Sequence, residues 1–128
     1  MNDSNNPLSP HLQIYRWHIS SLLSITHRIS SVINLLALIL IFFWLLFLSL
    51  GESNYELFLI SINNFLGKFI LIGFTWSMIF HLLSGIRHLV WDFGYGFEIK
   101  TANFSGVIVI ISSLALTIIF WLFARGFI

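Results

Sequence analysis

The sequence predicts an all-α integral membrane protein with three transmembrane helices. Of its 128 residues, 58% are hydrophobic and only 9% charged, with a mean hydropathy of +0.94. A soluble domain carries roughly 25% charged residues, so this composition belongs to a chain that sits in lipid. The second observation is the grouping of the apolar residues into three runs divided by polar stretches. Each run approaches the ~20 helical residues that cross a bilayer core.

Met1 to about Trp17 is polar and contains Pro7 and Pro10. It has neither the charged-then-apolar order of a signal peptide nor the Arg-rich pattern of a transit peptide. Such a start is expected of a chain made in a bacterium or inside an organelle, or read after processing. From His18 to Ser24 the chain is expected to lie along the membrane surface before turning in. Residues 1–28 thus form an N-terminal segment and the entry to the first helix, and 29–128 a three-helix anchor. Ile29 to Leu50 is the first span, 22 residues without a charge. Gly51 to about Asn64 reads as a polar connector with Glu52, Asn54 and Glu56. The second span runs from about Phe65 or Lys68 to His88, with 18 uncharged residues between Lys68 and Arg87 if His81 is neutral. Trp91 to Asn103 is the second connector, with Gly94 and Gly96 as turn signals. The third span covers about Phe104 to Phe123. Fourteen Phe and five Trp suit lipid contact and membrane interfaces.

Arg16, Arg28, Arg87 and Lys100 fall on one side of this arrangement, Lys68 and Arg125 on the other. That bias puts the N-terminus and the His81–Asp92 end on the cytoplasmic or matrix side. The segment Ser24–Arg28 then lies at the same membrane face as His88–Asp92. A net charge of +1 without a basic block gives no indication of nucleic acid. The absence of cysteine excludes disulfides, thiolate metal sites and iron–sulfur ligation by this chain. No GxGxxG nucleotide fingerprint is present.

The polar residues that remain inside the apolar runs are few and grouped. In His81-Leu-Leu-Ser-Gly-Ile-Arg-His-Leu-Val-Trp-Asp92, residues His81, Ser84, Gly85, His88 and Asp92 recur at helical spacing and share a face. Gly85 leaves that face open to a flat, bulky group. Ionisable side chains within a span are rare and usually functional. A neutral imidazole such as that of His81 is the usual axial ligand of a b-type haem in a helical bundle, or alternatively a hydrogen-bonding residue of helix packing. Arg87 and His88, nearer the interface, either hold haem propionates or, for Arg87, snorkel to headgroups. Asp92 is a candidate ion-pair partner for either. Ser24 and Arg28 share a helical face beside His27. A hydroxyl and a guanidinium there suit the carbonyl oxygens of a quinone, or else a helix cap and a positive-inside anchor.

These two regions resemble the signatures of the succinate dehydrogenase cytochrome b subunit, the larger membrane anchor of respiratory complex II. HLLSGIRHLVWDFG follows that family's His, three residues, Gly, hydrophobe, Arg-His and aromatic-Asp order. NPLSPHLQIYRWHISSLLSITHRIS follows it at Pro7-Leu8, Leu12, Ser24, His27-Arg28 and Ser30. Asn6 stands where the family usually has Arg, and Ser31 where Gly commonly follows. The resemblance implies His81 as axial ligand of one haem b shared with a histidine of the smaller anchor subunit. It implies Ser24 and Arg28 at the ubiquinone pocket, and His27, Arg87 and His88 around the propionates. The implied partners are that anchor, a flavoprotein and an iron–sulfur subunit, in a bacterial or mitochondrial inner membrane. A haem-free structural anchor of the same kind of complex is the alternative.

Overall fold

The computed structural model describes residues 17–124. Four helices follow in order: α1 (Ile19–Ser49), α2 (Glu52–Ile62), α3 (Phe65–Asp92) and α4 (Ile99–Ala124). Three of them, α1, α3 and α4, are long and apolar enough to cross a membrane. At 1.5 Å per residue their 31, 28 and 26 residues span about 46, 42 and 39 Å, each more than the ~30 Å hydrocarbon core.

The excess length corrects two expectations. His18–Ser24 is not a separate segment, because from Ile19 onward it is continuous with α1. Charges such as Arg28 and Arg87 limit what lies in hydrocarbon, but they do not end a helix whose backbone bonds continue. The stretch after Gly51 is not merely a connector: most of it is helix α2. Gly51, at φ +102°, makes the turn into it, and Phe58 stacks against Phe47 of α1 with ring centroids 5.6 Å apart. Asn64 then caps α3 by accepting a hydrogen bond from the Gly67 amide at 2.8 Å. The connector expected over 91–103 shortens to residues 93–98, where Gly94 and Gly96 take φ +87° and +80°. Pro7, Pro10, Arg16 and Arg125 lie outside the described residues.

In lipid there is no hydrophobic gain in bringing helices together, so small and hydroxyl-bearing residues make the contacts. The buried set follows that rule: Ser30 and Ala37 on α1, Ser77 and Ser84 on α3, Ala102, Gly106, Ser113 and Thr117 on α4. The larger buried side chains Leu23, Phe80 and Val109 fill the space between the three helices. Helix α3 is central. It reaches α1 through Ser77, whose hydroxyl lies 2.9 Å from Asn34 Oδ1 and 3.2 Å from the Ser30 carbonyl. It reaches α4 through Trp76 Nε1 to Ser113 Oγ (3.2 Å), and Trp121 of α4 reciprocates to Thr75 Oγ1 (3.3 Å). Ser31, which replaces the usual glycine, is exposed and hydrogen-bonds to the His27 carbonyl, so it does not disturb α1 packing.

Two glycines of α3 give a matched test. A Cβ at Gly67 would collide with the Ile62 backbone at the α2–α3 turn, whereas one at Gly73 meets nothing within 4 Å. Gly67→Ala is expected to destabilise the detergent-purified protein by about 1–3 kcal/mol. Gly73→Ala is expected to leave it unchanged or raise stability by up to ~1 kcal/mol through helix propensity. Thermal unfolding of the two variants side by side measures the difference.

Candidate functional site

α1 enters and α3 leaves at the same end of the bundle, and there the structure gathers three histidines. The His27 ring lies on His81 with centroids 4.0 Å apart and planes 7° from parallel. His88 stacks on the same ring at 5.1 Å and 28°. All three are half-buried. Seven residues is nearly two helical turns, which is why His81 and His88 both face α1. His88 Nδ1 lies 2.7 Å from the Ser84 carbonyl, a bond in which only the nitrogen can donate. His81 Nδ1 lies 2.9 Å from Ser30 Oγ on α1.

Several polar groups around this stack are left without partners. His27 Nδ1 and Ser84 Oγ are buried and make no hydrogen bond among the described residues. Native structures seldom leave such groups unpaired, so these mark where something else is received. Beside them, a Cβ built on Gly85 meets nothing within 4 Å: the open face expected from the sequence is there. Ser24 is half-buried and Arg28 exposed, and neither side chain hydrogen-bonds with another residue among those described. They stand on α1 one residue or one turn from His27, free to meet a ligand or partner.

The Arg87 side chain turns away from this cluster. It lies six residues after His81, so it points about 120° round the helix, toward α4. It is 7% exposed, with Nη2 donating to the Ala102 carbonyl (2.7 Å) and Nε to Ser105 Oγ (2.9 Å). Its guanidinium also sits 3.9 Å from the Trp91 ring centroid. The crevice of about 290 Å³ that it lines lies between α3 and α4, on the side of α3 away from the histidines. Asp92 is exposed, and among the described residues it forms no ion pair with Arg87 or His88. Trp91 links the two sides: it supports Arg87 on one face and meets the His88 ring edge-on at 5.2 Å.

Ser30, Ser77 and Asn34 are the site residues that motif reasoning assigned no role. A serine in an apolar helix is common, and the contact between Ser30 and His81 spans 51 residues of sequence.

Residues 2–120 match the family described as succinate dehydrogenase/fumarate reductase transmembrane subunit. The chain is 44% identical to the succinate dehydrogenase cytochrome b556 subunit of Rickettsia prowazekii over 118 residues, covering 92% of each. It is 36% identical to the protein of the same name from Paracoccus denitrificans over 119 residues, 93% of this chain and 92% of that one. Against the mitochondrial cytochrome b560 subunit of Mus musculus the identity is 37% over 124 residues, 84% of this chain and 65% of the relative.

The Arg87 contacts yield a stability prediction. Lysine lacks the planar fork that serves Ala102, Ser105 and Trp91 together. Arg87→Lys is expected to lower stability by about 1.5–3 kcal/mol, the range for losing a charge-assisted hydrogen bond. A thermal melt checks this.

Proposed function

The chain belongs to the succinate dehydrogenase/fumarate reductase transmembrane subunit family, and from that premise we propose that it is the larger cytochrome b anchor of a succinate:ubiquinone oxidoreductase. It is a multi-pass membrane protein, placed by this reading in a bacterial or mitochondrial inner membrane with its N-terminus on the cytoplasmic or matrix side. Its partners are a flavoprotein that oxidises succinate, an iron–sulfur subunit and a smaller membrane anchor. The observation that carries the reading is the gathering of His27, His81 and His88 from two helices at one membrane face, beside the open side of Gly85.

The residues present fit a b-type haem. His81 Nε2 makes no hydrogen bond among the described residues, and Gly85 leaves room for a flat group next to it. His27 Nδ1 is a buried nitrogen without a partner among the described residues, able to donate to a carboxylate. His81 would supply one axial nitrogen, with the second from a histidine of the smaller anchor, so that a single haem is shared. His27 would donate to a propionate through Nδ1, with His88, whose Nδ1 hydrogen goes to the Ser84 carbonyl, beside it. Arg87 acts behind them, holding Trp91 against His88. When bound, the haem supplies a one-electron carrier between the iron–sulfur subunit and the quinone.

Quinone binding is assigned to Ser24 and Arg28. The hydroxyl donates to one carbonyl oxygen, and the guanidinium stabilises the negative charge that develops on the ring during reduction. Among the described residues neither side chain has a hydrogen-bond partner, as a ligand site requires.

The test is a reduced-minus-oxidised visible spectrum of the detergent-purified four-subunit complex, wild type beside His81→Ala. A b-type band in wild type and its loss in the variant is the expected pair of results. A band that survives His81→Ala removes His81 from the ligand role, and no band in wild type leaves a structural anchor. Separately, Arg28→Gln is expected to raise the KM for ubiquinone at least about tenfold, the equivalent of one charge-assisted hydrogen bond, with the haem band retained. Steady-state quinone reduction measures it.

A further inference from the structure

Ser30 is 3% exposed on the face of α1 that meets α3, and its side chain makes two contacts. Its Oγ lies 2.7 Å from the His27 carbonyl and 2.9 Å from His81 Nδ1. A hydroxyl has one hydrogen, and a carbonyl oxygen can only accept. The contact with His27 therefore takes the serine hydrogen. The contact with His81 must then run the other way, from Nδ1–H to the serine oxygen, and this leaves Nε2 as the bare, metal-binding nitrogen.

The serine is itself held in place. Ser77 stands one turn before His81 on α3, and its hydroxyl lies 3.2 Å from the Ser30 carbonyl and 2.9 Å from Asn34 Oδ1. Ser30 and Asn34 are likewise one turn apart on α1. The loop of contacts leaves α3 at His81, crosses to Ser30, and returns to α3 at Ser77. The imidazole ring is fixed in rotation relative to its own helix by a group on the neighbouring one.

We propose that Ser30 is the positioning residue for the His81 ligand: it selects the tautomer that offers Nε2, fixes the ring plane and increases the electron donation of the imidazole. This rests on the reading of His81 as a haem ligand. It extends that reading to a residue that touches neither haem nor quinone. A hydrogen bond from the non-ligating nitrogen raises ligand basicity and favours the oxidised metal, and loss of such a bond typically weakens binding 10–100-fold.

The experiment compares wild type, Ser30→Ala, Ser30→Thr and His81→Ala in the purified four-subunit complex. Haem content after extended washing, redox titration and the redox-difference infrared band of the ligand imidazole are the readouts. Ser30→Ala is expected to shift the haem midpoint to more positive potential and reduce haem retention at least about tenfold. Its infrared band should move to that of a free Nδ1–H. Ser30→Thr, which keeps the hydroxyl, should restore all three. A Ser30→Ala complex with the wild-type midpoint and infrared band overturns the proposal and leaves His81 as ligand. Haem retained in His81→Ala overturns the underlying reading instead. Should Ser30→Ala fail to assemble, the wild-type infrared band decides: a hydrogen-bonded Nδ1–H supports the proposal, and a free one overturns it.

Discussion

The close approach of α1 to α3 is the constraint on which the rest depends. Water drives no association between helices in a bilayer, so the backbones must come near enough for packing and hydrogen bonds to hold them. Ser30 and Ser77 permit this at the centre of the contact, and Ser77 bonds directly to the α1 backbone. One turn away toward the site, the same approach stacks His27 on His81 at 4.0 Å. A bulky pair at positions 30 and 77 would hold the helices apart and separate the imidazoles.

The two sides of α3 have different characters. Toward α4 its polar groups are satisfied: Trp76 by Ser113, Arg87 by Ala102 and Ser105, Thr75 by Trp121. Toward α1 and the open edge of the bundle Ser77 and His81 find partners on α1, but among the described residues Ser84 Oγ and the facing His27 Nδ1 do not, and Gly85 faces empty space. Helix α4 is a buttress, and on the proposed reading the open edge beside Gly85 receives ligand and partner. Trp91 couples the two by touching both Arg87 and His88.

The spans were legible because lipid imposes a simple rule, about 20 apolar residues per crossing. Helix ends were not, because charge marks the edge of hydrocarbon rather than the end of hydrogen bonding; α1 therefore begins at Ile19. Helix α2 was missed since its eleven residues, opened by Gly51 without a capping side chain, carry no clear apolar face. The histidines were legible from spacing on α3 and from the balance of charge that put His27 at the same membrane face. Arg87 points toward α4 although it precedes His88, because adjacency in sequence turns into about 100° on the helix. Ser30 was beyond reach for a different reason: its role is a contact between two helices, and neither helix alone reveals it.

The arrangement around Arg87 has a consequence for truncation of the chain. Of the three spans, α3 is the least apolar, and it carries a guanidinium whose partners all sit on α3 itself and α4. A cation placed in the membrane ahead of its partners is costly. Helix α4 delivers the Ala102 carbonyl and the Ser105 hydroxyl that satisfy it. A chain cut before α4 would deprive this guanidinium of both of these acceptors.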